Sequence, residues 1–262
     1  MFVMIVVILG VIGLIAWGVI AYLGRSQTLS IKAIENPGGD LYLLHLGKNE
    51  NMTWEAGSYA KFTLPEENQN RKEASDTVSG ATKSTDEGEQ NSRWLTIAST
   101  PDENEILILT HNSGSTYKKN LISLHKGSEI KMSWLLSSLK IEADGSPLVC
   151  FASDVGIVAI RPIIKEWAGQ REMVLSHLDK GVTVFDKEMA ELSNQKGSFN
   201  YETSNSLSQS QATLRNAIEQ YGNKAAYLLA GQPDDVKAMK KFLVDKGIDS
   251  KNIKTESFRG VQ

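Results

Sequence analysis

The chain has 262 residues, 23% of them charged, and a net charge of −3. That length suits one or two domains, and that balance argues against wholesale disorder and offers no basic stripe for nucleic acid. One cysteine, Cys150, excludes an internal disulfide. The scattered histidines His45, His111, His125 and His177 show no metal-ligand spacing, so no metal centre is expected.

Residues 2–23 carry no charge. At ~1.5 Å per residue such a run crosses a ~30 Å hydrocarbon core. No lysine or arginine precedes it, and it outruns a signal-peptide core, so it reads as a transmembrane helix and not a cleaved leader. Trp17 and Tyr22 lie toward one end, Tyr22 well placed for the headgroup zone, and Arg25 and Lys32 follow at once. The positive-inside bias then predicts a single-pass protein of the cell membrane with a cytoplasmic C-terminal body. Gly10, Gly13 and Gly18 lack the GxxxG spacing, so a simple anchor over residues 1–26 is expected.

The body changes rhythm part-way. Residues 28–34 alternate around Leu29 and Ile31. Pro37-Gly38-Gly39 makes a turn before a strand at 40–46, and 58–64 alternates through Tyr59, Phe62 and Leu64. Further strands are expected at 94–99 and 105–110. Short, evenly spaced strands suggest an antiparallel β-barrel or sandwich over residues 27–145. Ser115 caps an expected helix with apolar Tyr117, Leu121, Ile122 and Leu124, stopped at Gly127. Residues 66–92 belong to no strand. They are rich in acids, amides and hydroxyls, with Val78 the only larger aliphatic, and read as a flexible acidic insertion.

From residue 146 the pattern becomes strand–helix–strand. Residues 148–152 form a short apolar run suited to a buried parallel strand. A helix at 156–167, a strand at 173–176, a helix at 186–192, a strand at 199–202 and a helix at 209–220 follow. Residues 225–229 give another buried strand. The next helix has Pro233 in its first turn, Asp234 and Asp235 at its positive end, lysines toward its negative end and Gly247 as its stop. A last strand is expected at 252–258. Alternation of this kind implies an open α/β sheet over 146–262.

Several short motifs stand in a telling order. Arg93-Trp94-Leu95-Thr96 resembles the R-x-Y/F-S/T flavin signature of the ferredoxin–NADP reductase superfamily, and Gly57-Ser58-Tyr59 resembles the G-Q-F/Y strand before it. Ser115-Thr116-Tyr117-Lys118 with Leu121, Leu124 and Gly127 is similar to that family's second flavin segment. Ser153-Asp154-Val155-Gly156 through Arg161 stands where the family has G-G-I-G-I/V-T-P-x-R. Leu229-Ala230-Gly231-Gln232-Pro233 stands in the place of C-G-P-P, and Glu256-Ser257-Phe258 matches a closing E-x-F. The resemblance runs from about residue 28 to the end.

That resemblance implies a flavin domain followed by a nicotinamide-nucleotide domain, FAD as cofactor and NAD(P)H as substrate. Arg93 is the candidate for the FAD pyrophosphate, since a guanidinium grips two oxygens at once. Thr96 occupies the place of the hydroxyl beside the reactive ring edge and is the candidate catalytic residue. Ser115 and Thr116 open a helix whose N–H groups suit phosphate or simply cap it. Lys118 adds charge there or is merely solvated. Gly156 would let backbone approach a dinucleotide, with Gly231 and Pro233 closing the far side. Cys150 reads as an ordinary buried residue, and His111 and His177 as structural.

Departures from the family pattern cut the other way. Leu95 replaces the ring-stacking aromatic, which leaves Trp94 or an aliphatic contact to flank a flavin. Ser153-Asp154 replaces paired glycines and adds a carboxylate beside the expected pyrophosphate, so NAD(P)H binding is expected to be weak. Val158-Ala159 replaces Thr-Pro, and Ser133-Trp134-Leu135-Leu136 replaces G-P-x-G. Two classes stay open: a membrane-anchored flavin-dependent NAD(P)H oxidoreductase serving an unidentified acceptor, with a redox partner at the membrane, and a degenerate flavin-binding or scaffolding module of a membrane complex.

Overall fold

A computed structural model describes residues 24–65, 91–137 and 139–258. The expected membrane span at 2–23 and most of the expected insertion, 66–90, lie outside the described residues. No helix among the described residues is long and apolar enough to cross a membrane.

The first half holds β1 (Gln27–Gly38), β2 (Leu41–Gly47), β3 (Ser58–Thr63), β4 (Ser92–Thr96), β5 (Glu105–His111), α1 (Thr116–Ile122) and β6 (Glu129–Ser137). All pair antiparallel in the order β4-β3-β6-β1-β2-β5. Strand β1 pairs with β6 through residues 27–30 and with β2 beyond them, so the sheet curls. The curl brings the segment after β4 to β5, where the Ala98 N–H donates to the Leu107 carbonyl at 2.8 Å. Leu44, Leu46, Phe62, Ile106 and Ile108 fill the interior. Helix α1 plugs it with Tyr117 and Leu121, and the Tyr117 hydroxyl donates to the Phe62 carbonyl at 3.1 Å.

Strand β6 has no counterpart in the sequence expectation. Its apolar alternation breaks at Ser133–Leu136, where three steps of β6 oppose two of β3. The bulge carries Trp134 at φ +54°. A bulge of this kind scrambles the period of two on which a strand is recognised.

The second half holds β7 (Leu148–Ser153), α2 (Ile157–Trp167), β8 (Met173–Leu178), α3 (Asp186–Gln195), β9 (Phe199–Ser204), α4 (Leu207–Tyr221), β10 (Ala226–Gly231), α5 (Pro233–Asp245) and β11 (Ile253–Ser257). Its five strands are parallel, in the order β11-β10-β7-β8-β9. Every residue of β7 and of β8 is buried, as their apolar runs require when helices cover both faces. Cys150 and Ala152 face α2 and α3, and Val149 and Phe151 face α4 and α5. Helix α2 begins one residue later than expected, after a short 3-10 turn at Asp154–Gly156.

The halves meet across α2. Leu43, Leu107 and Leu109 on the outer face of β2 and β5 share one core with Ile157, Val158 and Ile160. Strand β5 is therefore covered on both faces, which explains its unbroken run Ile106-Leu107-Ile108-Leu109. Buried within this seam is Arg161. Its Nε and Nη2 reach Glu188 at 2.5 and 2.7 Å, its Nη1 and Nη2 reach Glu103 at 3.0 and 2.6 Å, and its Nη1 reaches the Ala98 carbonyl at 2.6 Å. Lys165 bridges the same two carboxylates.

Burial pushes the Glu103 carboxyl up, but hydrogen bonds from Arg161, Lys165 and the Thr100 N–H outweigh it and hold the pKa at about 2, against an ordinary 4.5. A carboxyl depressed in the folded state stabilises fully above its unfolded pKa and loses that contribution as pH falls from about 4.5 toward 2. Arg161→Ala should lower stability in urea, by no more than the ~3–5 kcal/mol of a broken buried pair since Lys165 remains, and should flatten the acid limb between pH 4.5 and 2.

Candidate active site

The seam leaves a cleft of about 100 Å³ where the carboxyl ends of the parallel strands face β4, β5 and α1. Trp94, Leu95, Thr96, His111, Lys118 and Phe258 line it. A larger cavity, about 510 Å³, opens beside the β6 bulge near Gln27, Asn49 and Trp134. Its lining includes no carboxylate and no residue of the second half. The smaller cleft is the one with convergent chemistry.

Thr96 ends β4 and Glu256 lies on β11, 160 residues later. The Thr96 hydroxyl donates to the Glu256 carboxylate at 3.1 Å. Burial of Thr96 and the register of β11 beside β10 fix the two partners. A hydroxyl that donates to a carboxylate keeps its lone pairs as acceptors for a further donor.

Arg93 precedes it on β4. Its guanidinium lies over the Tyr117 ring at 5.6 Å, and its Nη1 donates to the Ser92 carbonyl at 2.9 Å. Lys118 is half-buried and donates to the Thr110 hydroxyl, so it is not the solvated lysine that was one expectation. Burial, and then the neighbouring Arg93, lower its pKa to about 8. The Ser115 hydroxyl accepts from the Lys118 N–H at 3.3 Å and so caps α1, and Thr116 follows, exposed, as the first helical residue. Trp94 is 49% exposed and packs edge-on to Tyr59, while Leu95 leans on the first core.

The other rim of the cleft differs from expectation. Asp154 stands at φ +54°, a left-handed conformation that favours glycine, in the place where the resemblance has one. Its Oδ1 meets His111 Nε2 at 2.6 Å, and its Oδ2 accepts from Gln232 Nε2 at 3.2 Å. His111 Nδ1 meets Asp40 at 2.8 Å. His111 therefore has two carboxylate partners that the sequence did not disclose. The Asp154 bond, against the opposing effect of burial, raises its pKa, with Asp40 adding to the rise.

Gly156 and Gly231 were expected to admit a ligand. The close approaches they permit are internal. A Cβ at Gly156 would lie 2.2 Å from the Ala230 carbonyl oxygen, and one at Gly231 2.2 Å from Ser153 Oγ. The bare backbones are what let the turn after β7 press against the end of β10. Pro233 is exposed at the first position of α5. Cys150 is fully buried, and burial pushes its thiol up to about 12. His177 is buried against the Tyr201 hydroxyl, and burial pulls it down to about 4, so it sits neutral in the core.

Thr96→Val keeps the shape and removes the donor to Glu256. It should cost about 0.5–1.5 kcal/mol in urea denaturation, while Thr96→Ser should sit close to the parent.

No protein-family model and no curated protein matches the sequence. The fold does match solved structures. The cytochrome P450 reductase GcoB of Amycolatopsis aligns at TM-score 0.68 and 18% identity, over 89% of this chain and 70% of that one. The flavohem-like FAD/NAD-binding domain of a nitric oxide dioxygenase from Vibrio cholerae aligns at TM-score 0.64 and 16% identity, over 88% and 98%. Phthalate dioxygenase reductase aligns at TM-score 0.64 and 13% identity, over 88% and 68%. At such identities the likeness is one of architecture. The described chain has the fold of the ferredoxin–NADP reductase-like flavoprotein reductases, an antiparallel sheet domain followed by a parallel α/β domain.

Proposed function

We propose that this protein is a membrane-anchored, FAD-dependent oxidoreductase that passes electrons from NAD(P)H through flavin to an acceptor at the membrane or in the cytoplasm. The observation that carries the reading is the Thr96–Glu256 pair, one partner from each half, at a cleft that Thr96 and Lys118 line, with Arg93 near enough to Lys118 to lower its pKa. Among the structural neighbours, a flavohemoglobin from Malassezia yamatoensis holds bound FAD and the Vibrio cholerae domain is an FAD/NAD-binding one, which adds to the argument from fold.

The donor set suits FAD. Arg93 and Lys118 are the cations for its pyrophosphate. Leu95, Trp94 and Phe258 offer apolar walls for a flat ring, with Thr96 placed to hydrogen-bond its edge. A space of about 100 Å³ is smaller than the ~300–1,000 Å³ of pockets that enclose an organic ligand, so the seam receives part of the cofactor and leaves the rest outside. When bound, FAD supplies hydride and electron transfer. The chain's own task is to orient that group at Thr96 and to carry a proton between the Thr96 hydroxyl and Glu256.

A second reading, a flavin-binding or scaffolding module with little turnover, is favoured by Asp154. Its carboxylate and its bonds to His111 and Gln232 stand where a dinucleotide would enter. Visible absorbance of the purified full chain reads bound flavin directly. Arg93→Ala should weaken FAD binding ten- to a hundredfold, the effect of losing a charge-assisted bidentate contact. A parent that shows no flavin and takes none up at tens of micromolar defeats the oxidoreductase reading and leaves a scaffolding module without flavin.

The proposed topology rests on Arg25 and Lys32 after an uncharged run with no basic residue before it. Protease added outside intact cells should leave residues 27–262 uncut. Digestion of that body from outside would reverse the orientation.

A further inference from the structure

The order of the parallel sheet reverses between β7 and β10: the chain proceeds from β7 through β8 to β9 on one side and returns to β10 and β11 on the other. In open α/β sheets the ligand crevice lies outside the carboxyl ends of the strands at that switch point. Here the rim of the crevice is Ser153 and Asp154 at the end of β7, and Gly231 and Gln232 at the end of β10.

The rim is tied across. The Gln232 N–H donates to Ser153 Oγ at 3.1 Å, and its side-chain amide donates to Asp154 Oδ2 at 3.2 Å. The other Asp154 oxygen is held by His111 Nε2 at 2.6 Å, from the end of β5 in the opposite half. His111 is itself held by Asp40 from the β1–β2 turn at 2.8 Å. Asp154 does this from a left-handed backbone, a conformation that aspartate tolerates better than most side chains and glycine better still.

We infer that Asp154 is an internal stand-in for a ligand phosphate: its carboxylate occupies the donors His111 and Gln232 and closes the crevice, so that Asp154 decides whether a pyridine dinucleotide enters. This deepens the oxidoreductase reading and rests on it. The chemistry of the donors supports the assignment. Two carboxylates, one facing each ring nitrogen, favour the doubly protonated, cationic form of His111, and the primary amide of Gln232 presents N–H groups beside it. Cation plus amide is a set that takes an anionic oxygen, and Asp154 supplies one from within the chain. A dinucleotide must displace that carboxylate, which lowers its apparent affinity by the fraction of molecules in which the crevice stands open. With the carboxylate gone, the same two donors are left facing the incoming pyrophosphate.

Calorimetric titration of the full chain with NADH and with NADPH tests this, with flavin content read by absorbance in the same preparations. Asp154→Gly removes the carboxylate and suits the left-handed backbone, so the variant retains its fold. It should bind a dinucleotide about ten- to a hundredfold more tightly than the parent. Adding His111→Ala to Asp154→Gly should remove most of that gain, because His111 is then a phosphate donor. Equal affinity in parent and Asp154→Gly overturns the proposal. So does a gain unaffected by His111→Ala, which would reduce Asp154 to simple repulsion. Absence of binding in every variant also overturns it, and flavin absorbance retained in those samples would leave the flavin assignment standing.

Discussion

The structure depends on one buried guanidinium. Arg161 sits in α2, the helix packed on one side by the parallel sheet and on the other by the outer face of β2 and β5. A charge there is tolerable only if every donor is met. Glu188 from α3, Glu103 from the first half and the Ala98 carbonyl meet its Nε, Nη1 and Nη2, and the Phe185 ring lies beneath it at 4.6 Å. Glu103 also accepts from the Thr100 N–H at 2.7 Å, so the same carboxylate orders the turn before β5. Apolar contact alone is non-directional and would let two halves slide. Arg161 supplies the directional contacts that set their register.

That register is what creates a site. Thr96 and Glu256 belong to separate halves and meet only because the two halves are packed together across α2. His111 and Asp154 meet for the same reason. Both contacts lie at the seam, one polar pair at the cleft that Lys118 lines, the other across the switch point. Chemistry and access are thereby set by a single packing arrangement.

The glycine positions show how a pattern shifts meaning in a fold. Gly156 fills a motif position associated with close approach to a nucleotide, yet its missing side chain accommodates the Ala230 carbonyl. Asp154 fills a glycine position with a side chain and keeps the glycine-like backbone, at φ +54°. The turn after β7 thus combines a left-handed backbone with a carboxylate bonded to His111 and Gln232.

Much of the architecture was legible along the chain. Periods of two in residues 28–64 and apolar runs at 148–152 and 225–229 disclosed an antiparallel half and a parallel half, because burial on one face or on two leaves different periodicities. Ser115, Pro233 and Gly247 marked helix ends, since capping is a local affair of a few neighbouring residues. Motif order also singled out Arg93 and Thr96. Strand β6 escaped, as its bulge at Trp134 breaks the period. The partners escaped as well: nothing near His111 announces Asp40 or Asp154, nothing near Arg161 announces Glu103 or Glu188, and Lys118 reads as a surface lysine until Thr110 is brought to it. Sequence alone determines what depends on neighbours a few residues apart, the periodicity, the caps and the turns. Which charges meet, and which backbone gaps are filled from within, is decided by contacts between segments from eight to over a hundred residues apart, within each half and across the seam, and those exist only once the chain has folded.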